Sequence, residues 1–248
     1  MFNIKLDDAR VLNGCVGVIS DFITEANFQI SREGIDLIAM DPANISMVVL
    51  KLLPSAFATY EVTEPQSITV NLDNFKQAIK RSKPGDVLNL SLDKNKLVID
   101  IKGKSKKKFS IPLLEREGKD RKVPNLEFNA IVELDASELK DIVEDASIVG
   151  DALSFEANPD TFAAHAGDQG SKVRIDLERG NQALVNLQVK EPVQAIYSVE
   201  YLKKMAKTSS LADTATVQFS KDYPLRLDFK SLNKFQMSFI LAPRIENK

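Results

Sequence analysis

The chain repeats itself at an offset of 127 residues, and this repeat constrains the fold more than any other feature of the sequence. Val62-Thr63-Glu64-Pro65 recurs as Val189-Lys190-Glu191-Pro192, and the next stretch of each copy keeps the register. Each copy then carries apolar residues at the i, i+3 and i+7 spacing of one helical face, namely Leu72, Phe75 and Ile79 in the first copy and Val199, Leu202 and Ala206 in the second. Self-similarity of this length marks a repeated structural unit, so we predict two halves of one plan.

Period-two alternation predicts that most of the remaining chain is strand. Leu88, Leu90 and Leu92, a polar turn at 93–96, and a second alternating run from Leu97 to Ile101 are typical of a hairpin. Each half has one further helical segment, at 9–20 and 137–148. We therefore predict an α+β fold of two similar domains, each with antiparallel sheets and two helices.

The segment 114–129 fits neither period. It is rich in Glu, Lys and Arg and is broken by Gly118 and Pro124, as is usual for a linker. We predict an N-terminal domain at 1–113, a connecting linker at 114–129 and a C-terminal domain at 130–248.

Cysteine and histidine usage excludes several kinds of chemistry. Cys15 and His165 are the only residues of their types, so intrachain disulfides and cysteine–histidine metal clusters cannot form. We interpret His165 as a structural or surface residue. No apolar stretch is long enough for a membrane span, and no export signal is evident, so we expect an intracellular protein.

Acidic groups are the remaining candidates for catalysis, at Asp7-Asp8, at Glu115 and Glu117, and at Asp141 with Glu144-Asp145. They stand beside Lys or Arg in surface-like patterns, which favours solvated charge over an acid–base pair. No phosphate-binding glycine loop is present. We expect no catalytic residue, no metal and no cofactor. A carboxylate enzyme of antiparallel sheet architecture is the alternative, and a buried acid pair in a pocket would favour it.

Basic residues repeat in register with the apolar faces. Because the net charge is -2, the chain is not a generally basic nucleic-acid binder, but its positive charge is concentrated on the second helix of each half. Lysines without interleaved aromatics suit phosphate contact, hence binding of duplex DNA without sequence preference. The predicted DNA-facing residues are Lys76, Lys80, Arg81, Lys83, Lys203, Lys204 and Lys207.

Two alternating segments have the character of edge strands. Residues 107–114 alternate Phe109, Ile111 and Leu113 and contain Pro112, which cannot donate to a ladder, while Lys172–Glu178 alternates Val173, Ile175 and Leu177. The first comes after the basic run Lys104, Lys106, Lys107 and Lys108, and the second carries Asp176 and Glu178. We predict that these strands pair between subunits, head to tail.

Three motifs resemble the archaeal sliding clamps of the proliferating cell nuclear antigen family. They are the segment 34–46, which includes Met40-Asp41-Pro42; the segment Glu191-Pro192-Val193-Gln194 leading to Tyr201-Leu202; and the ending 241–246, Leu-Ala-Pro-Arg-Ile-Glu. The resemblance implies a pseudo-six-fold ring of three subunits, either homotrimeric or a specialised heterotrimer, with helices lining the hole. It implies duplex DNA, a clamp loader (replication factor C), a replicative DNA polymerase, a flap endonuclease and DNA ligase as partners. A cytoplasmic, nucleoid-associated location is implied if the source is archaeal.

The resemblance also implies a groove that binds a short peptide of client proteins. Carried over by position, its residues are Met40, Asn44, Ile45, Val123, Leu126, Tyr223, Pro224, Ile240, Ala242 and Pro243. In one respect this chain departs from the family: the segment 9–20 offers only Arg10 as a basic residue, and Ala136–Val149 is mainly acidic. We therefore expect DNA contact chiefly from the second helix of each half.

Overall fold

A computed structural model of the chain describes residues 1–115, 121–167 and 170–245. The chain forms two compact units. The first consists of Met1–Pro42, Val48–Val123 and Ser231–Met237, and the second of Ala43–Met47, Pro124–Lys230 and Ser238–Lys248. Part of the predicted linker, 116–120, lies outside the described residues, and the proposed domain boundaries stay predictions.

The order of elements occurs twice along the chain: one strand, a helix, five strands, a second helix and three strands. The helices are α1 (Arg10–Ile19), α2 (Leu72–Ile79), α3 (Ala136–Val149) and α4 (Val199–Ala206). The strands of the first copy are β1 (Phe2–Leu6), β2 (Glu25–Ser31), β3 (Gly34–Met40), β4 (Ser46–Leu52), β5 (Thr59–Val62), β6 (Gln66–Asn71), β7 (Val87–Asp93), β8 (Lys96–Lys102) and β9 (Lys106–Pro112). Those of the second copy are β10 (Ala130–Asp135), β11 (Ala152–Ala157), β12 (Thr161–Gly167), β13 (Lys172–Glu178), β14 (Leu184–Val189), β15 (Val193–Ser198), β16 (Thr214–Phe219), β17 (Leu225–Ser231) and β18 (Phe235–Leu241).

Strand order repeats as well. The order β5-β1-β7-β8-β9 in the first copy corresponds to β14-β10-β16-β17-β18 in the second, and β4-β3-β2-β6 corresponds to β13-β12-β11-β15. Strands β1, β2, β7, β8 and β10–β13 pair with their neighbours in antiparallel orientation. The predicted α+β fold with two similar halves is confirmed. β9 and β13, the two segments with edge-strand character, both lie at sheet edges.

The helices bury the faces that their spacing predicts. Leu72, Phe75 and Ile79 are buried in α2, and the corresponding residues are buried in α4. In α1 the buried face includes Cys15, where burial raises the pKa of the thiol to about 12, so this cysteine stays protonated and unreactive. Among the described residues, no helix is long and apolar enough to cross a membrane.

The basic residues between Lys76 and Lys83, which are predicted from the sequence to lie on the second helix of the first half, are only partly helical. α2 ends at Ile79 and Lys80 is its C-cap, so Arg81 and Lys83 lie in the loop beyond it. Pro84 disfavours helical backbone at Lys83, and Gly85 has a φ of 86°, so the helix cannot extend through Lys83. The basic side chains therefore cluster at the end of the helix rather than along it.

Candidate functional site

In the first unit, the predicted DNA-facing residues differ in how firmly they are held. Lys80, Arg81 and Lys83 are exposed, and their side chains have no ion-pair partner among the described residues. Lys76 is half-buried and donates a hydrogen bond from Nζ to Ser20 Oγ, 2.7 Å away on α1. Within the described residues, three cations without an ion-pair partner thus follow α2, and one cation fixed by Ser20 lies in its last turn.

In the second unit, one lysine of α4 is likewise held by a serine, while the lysine at the C-cap is exposed. Lys203 donates to Ser147 Oγ at 3.2 Å, and Lys207 is exposed at the C-cap of the helix. Lys204 donates to Glu200 Oε1 at 2.8 Å, and its Nζ lies 5.1 Å from the centre of the Tyr201 ring. Because Lys204 is half-buried and neutralised by its neighbour, it offers less charge to a ligand than Lys203.

The first helix of each copy contributes little positive charge. In α1 the only basic residue is Arg10, which is paired with Asp8 at 2.6 Å; this hydrogen-bonded guanidinium lowers the pKa of the Asp8 carboxyl. α3 exposes Asp141, Glu144 and Asp145, and Lys140 is paired with Glu144 at 3.4 Å. Most of the positive charge on the helices is therefore found on α2 and α4 and at their C-terminal ends.

The second unit brings several predicted groove residues together. Ala242 N donates to Ile45 O at 2.9 Å, so the C-terminal segment runs beside the segment 43–47. Ile45 is 39% exposed although it is apolar, and Asn44 adopts a φ of 57°, a left-handed conformation that asparagine tolerates. Ile240 is 8% exposed and forms part of the core, whereas Pro243 is half-exposed.

Tyr223 is held from two directions. Its carbonyl accepts a hydrogen bond at 2.9 Å from the hydroxyl of Tyr197, a fully buried residue, and its ring lies edge-on to Phe128 at 6.0 Å. Pro224 and Leu126 are half-exposed. This arrangement fixes one aromatic wall in the second unit. Met40, half-buried at the end of β3, and Val123, 37% exposed, belong to the first unit.

The edge strand β9 keeps part of its apolar face uncovered. Phe109 is half-exposed, whereas Ile111 is 6% exposed and belongs to the core. A cavity of about 520 Å³ opens between α2 and this strand, lined by Asn74, Gln77, Ala78, Arg81, Phe109, Ser110 and Ile111. Leu113 comes directly after the strand and is half-exposed.

The edge strand β13 has the same pattern. Val173 and Ile175 are half-exposed, and Leu177 is 5% exposed. Asp176, expected to attract lysines of a neighbouring subunit, is bound within its own strand by Arg174 at 2.9 Å. Glu178 has no ion-pair partner in the described parts of the chain. Any electrostatic attraction between β13 and the lysines of a neighbouring subunit therefore depends mainly on Glu178.

Comparison with known proteins places this geometry in a family. The family model for the N-terminal domain of proliferating cell nuclear antigen matches residues 1–116, and the model for its C-terminal domain matches residues 122–244. A DNA polymerase sliding clamp of Nanoarchaeum equitans is 39% identical over 245 residues, which cover 97% of this chain and 98% of that protein. The chain belongs to the proliferating cell nuclear antigen family.

Other archaeal members are similarly close. The DNA polymerase sliding clamp of Thermococcus gammatolerans is 37% identical over 246 residues, covering 99% of each chain. The crystal structure of proliferating cell nuclear antigen from Thermococcus kodakaraensis superposes with a TM-score of 0.91 at 29% identity, covering 98% of this chain and 100% of the other. The resemblance inferred from the three motifs is thereby confirmed.

This family member has one surface that sequence reasoning missed. A cavity of about 1050 Å³ in the second unit is lined by Asn129, by residues 191–196, by Lys221 and Asp222, and by Pro243, Arg244 and Ile245. Arg244 N donates to Ile196 O at 2.7 Å, and the Arg244 side chain is paired with Asp151 at 3.0 Å. The motif Glu191-Pro192-Val193-Gln194 could have indicated this cavity in the sequence, since it forms the start of the segment 191–196 that lines it.

The rival catalytic groups do not converge in the described part of the chain. No three His, Cys, Asp or Glu side chains there could hold a metal ion, and Glu117 lies outside the described residues. The buried carboxylate of Asp228 accepts hydrogen bonds from Gln218 at 2.7 Å, from Arg226 at 3.0 Å and from Ser238. His165 is half-exposed, and its Nε2 lies 3.4 Å from Gln194 Nε2.

Proposed function

We propose that this chain is the subunit of a trimeric ring that encircles duplex DNA and tethers replication and repair enzymes to it, without catalysing a reaction itself. The observation that carries the proposal is the near full-length similarity to archaeal DNA polymerase sliding clamps, together with the doubled fold. Retention on DNA is then topological. A client that releases its substrate stays close to it, because tethering raises its effective concentration.

The ring is proposed to close through β9 of one subunit and β13 of the next. Both strands have a free edge and a half-exposed apolar residue, Phe109 and Ile175 respectively. The cavity between α2 and β9 offers space for an apolar side chain of the neighbour. Lys106 and Lys108, just before Phe109, are exposed, and Glu178 ends the opposite strand. Because the two patches differ, the contact is heterologous and must close into a ring or continue as a filament.

Sedimentation tests the assembly directly. Expressed alone, the chain is expected to sediment as a trimer; a folded monomer that assembles only with other clamp subunits would favour the specialised heterotrimer instead. Phe109→Asp and Ile175→Asp should each give a folded monomer, because an uncompensated carboxylate in the junction costs about 3 kcal/mol or more, over a hundredfold in dissociation constant. Leu232→Asp, at a turn residue that is 87% exposed, is the matched control and should stay trimeric. Intact trimers for both interface variants would refute this junction.

DNA contact is proposed for the exposed lysines of α2 and α4. Lys80 and Lys207 occupy equivalent C-cap positions, 127 residues apart, and both are exposed. Lysine–phosphate contacts are independent of base sequence and weaken with salt, as a ring that slides requires. Together with Lys76, Arg81, Lys83, Lys203 and Lys204, they form the proposed DNA-facing set.

Client binding is proposed for the surface around Ile45, Ala242 and Tyr223. An exposed isoleucine, a C-terminal segment hydrogen-bonded beside it and a braced aromatic wall provide apolar anchor sites on a fixed backbone. We infer that a short peptide of client proteins binds here. The proposed clients are a replicative polymerase, a flap endonuclease and DNA ligase, and a clamp loader (replication factor C) would open the ring. These partners imply an intracellular location at the nucleoid.

A further inference from the structure

A chain of two hydrogen bonds ties the two helices of the first copy together. Lys76 Nζ on α2 donates to Ser20 Oγ at 2.7 Å, and Ser20 Oγ donates to Gly17 O on α1 at 2.7 Å. Ser20 is the C-cap residue of α1. The lysine ammonium is thereby held at the C-terminal end of the neighbouring helix.

The same chain of bonds occurs in the second copy, 127 residues later at every member. Lys203 Nζ on α4 donates to Ser147 Oγ at 3.2 Å, and Ser147 Oγ donates to Glu144 O on α3 at 2.6 Å. Ser147 lies in the last turn of α3. We call these two arrangements the lysine–serine bridges.

Within the bridge, the two copies have in common the residues whose side chains take part in it. The final acceptor is a backbone carbonyl, so Gly17 and Glu144 can differ without affecting the hydrogen bond. The lysine and the serine are identical in both copies, although the first helices differ in charge along their exposed faces. An incidental surface contact would not be expected to recur in register within helices so different.

The bridge fixes the ammonium without neutralising it. Serine is uncharged, and the partial negative charge at a helix C-terminus favours a cation there. One of the three ammonium N–H groups is used by serine, which leaves two for another acceptor. Lys203 is exposed and Lys76 half-exposed, so these donors remain accessible to a ligand.

We propose that Ser20 and Ser147 are positioning residues for phosphate contact, each holding a lysine ammonium where a phosphate of the encircled DNA can meet it. The inference rests on the proposed DNA-facing role of α2 and α4. An unbridged lysine loses rotamer freedom when it binds phosphate, whereas a bridged lysine has already lost it. Lys76 and Lys203 therefore act as fixed contact points, and Lys80 remains an adaptable one.

The test compares serine variants of the intact trimer. Ser20→Ala combined with Ser147→Ala should weaken binding of a short fluorescent duplex, which can thread the closed ring, by about two- to tenfold. The slope of log affinity against log salt should not change, because every lysine remains. Ser20→Thr with Ser147→Thr keeps the hydroxyls and should restore binding. Ser210→Ala is the matched control, since Ser210 Oγ donates to Lys207 O at 3.0 Å but accepts from no lysine ammonium of the described residues.

A mutant cycle separates positioning from general stabilisation. Lys76→Met with Lys203→Met should reduce the salt slope by about 0.9 for each phosphate interaction removed, and adding the serine substitutions should then have no further effect. Wild-type affinity of the serine variant, or a serine effect that persists without the lysines, would overturn the proposal. A wild-type slope in the lysine variant would also overturn it, while DNA binding through Lys80 and Lys207 would stand or fall separately. Ser147→Ala alone repeats the test at the more exposed bridge, where no core packing is disturbed.

Discussion

Replacing Tyr197 with phenylalanine should loosen the wall of the proposed client groove. The Tyr197 ring is fully buried, and its hydroxyl donates to Tyr223 O at 2.9 Å. Removing that hydrogen bond should lower the free energy of unfolding by about 1 kcal/mol, or up to about 3 kcal/mol if the carbonyl stays buried without a partner. The melting temperature should fall by about 2–4 °C for each kcal/mol lost. The affinity for a client peptide should fall by about two- to tenfold, because Tyr223 then keeps only its ring contact with Phe128.

Tyr60→Phe is the matched control. The Tyr60 hydroxyl also donates to a backbone carbonyl, Ser31 O at 2.8 Å, but both residues lie in the first unit and outside the proposed groove. This variant should lose stability by a similar mechanism while keeping the wild-type affinity for the peptide. The pair of variants separates local support of the groove from a general loss of stability.

The same substitution has a signature at alkaline pH. Burial raises the pKa of Tyr197 above its ordinary value of about 10, and the nearby carboxylate of Asp222 adds to the shift. Above about pH 10 the unfolded chain therefore loses a proton that the folded chain retains. Stability contributed by the neutral phenol is complete below that pH and falls as pH rises, by up to about 1.4 kcal/mol per pH unit.

Urea denaturation between pH 7 and 11, combined with calorimetric titration of a client peptide, measures both effects. Tyr197→Phe should be less stable at pH 7 and should lose stability less steeply above pH 10 than the wild type. The reasoning is refuted if stability at pH 7 is unchanged, if the alkaline slope equals that of the wild type, or if Tyr60→Phe weakens peptide binding equally.

Three further predictions address DNA, clients and helix capping. Lys80→Glu with Lys207→Glu should reduce the salt dependence of duplex binding by about 0.9 in the log–log slope per phosphate interaction removed; an unchanged slope in the intact trimer would remove them from the DNA-facing set. Ile45→Arg should abolish peptide binding in calorimetric titration without unfolding the ring, because a charge would replace an apolar anchor site. Asn71→Ala should cost about 1 kcal/mol in thermal unfolding, since Asn71 caps α2 by accepting from Asn74 N at 3.0 Å, whereas Ser198→Ala should cost little because Ser198 makes no side-chain cap on α4.

Much of the fold was predictable because its signals are periodic and occur twice. The i, i+3, i+7 spacing identified the buried faces of α2 and α4, and Pro112 marked β9 as an edge strand. Helix ends were less predictable: the basic run after Ile79 continues a helical pattern, but α2 ends at Ile79 and Pro84 prevents helical backbone at Lys83.

Side-chain partners within the candidate site were the least predictable part. Arg174 and Asp176 share one face of β13, so alternation allows them to pair, but only the geometry shows that they do. The lysine–serine bridges were missed for another reason. Ser20 and Ser147 lie 127 residues apart as the repeat requires, yet serine belongs neither to the apolar pattern nor to the charge pattern.

The acidic face of α3 limits how strongly the proposed ring can attract DNA. Asp141 and Asp145 are exposed and have no ion-pair partner in the described residues, whereas Glu144 is offset by Lys140. At physiological salt the screening length is about 8 Å, so these two carboxylates act mainly on charges close to α3, which include the ammonium of Lys203 held at Ser147. Asp141→Asn with Asp145→Asn should therefore tighten duplex binding while leaving the number of lysine–phosphate contacts, and thus the salt slope, nearly unchanged. If the affinity of this variant for the duplex matches that of the wild type, α3 does not approach the duplex. If the slope of log affinity against log salt rises by about 0.9 or more, removing the two carboxylates has allowed one more lysine to contact a phosphate.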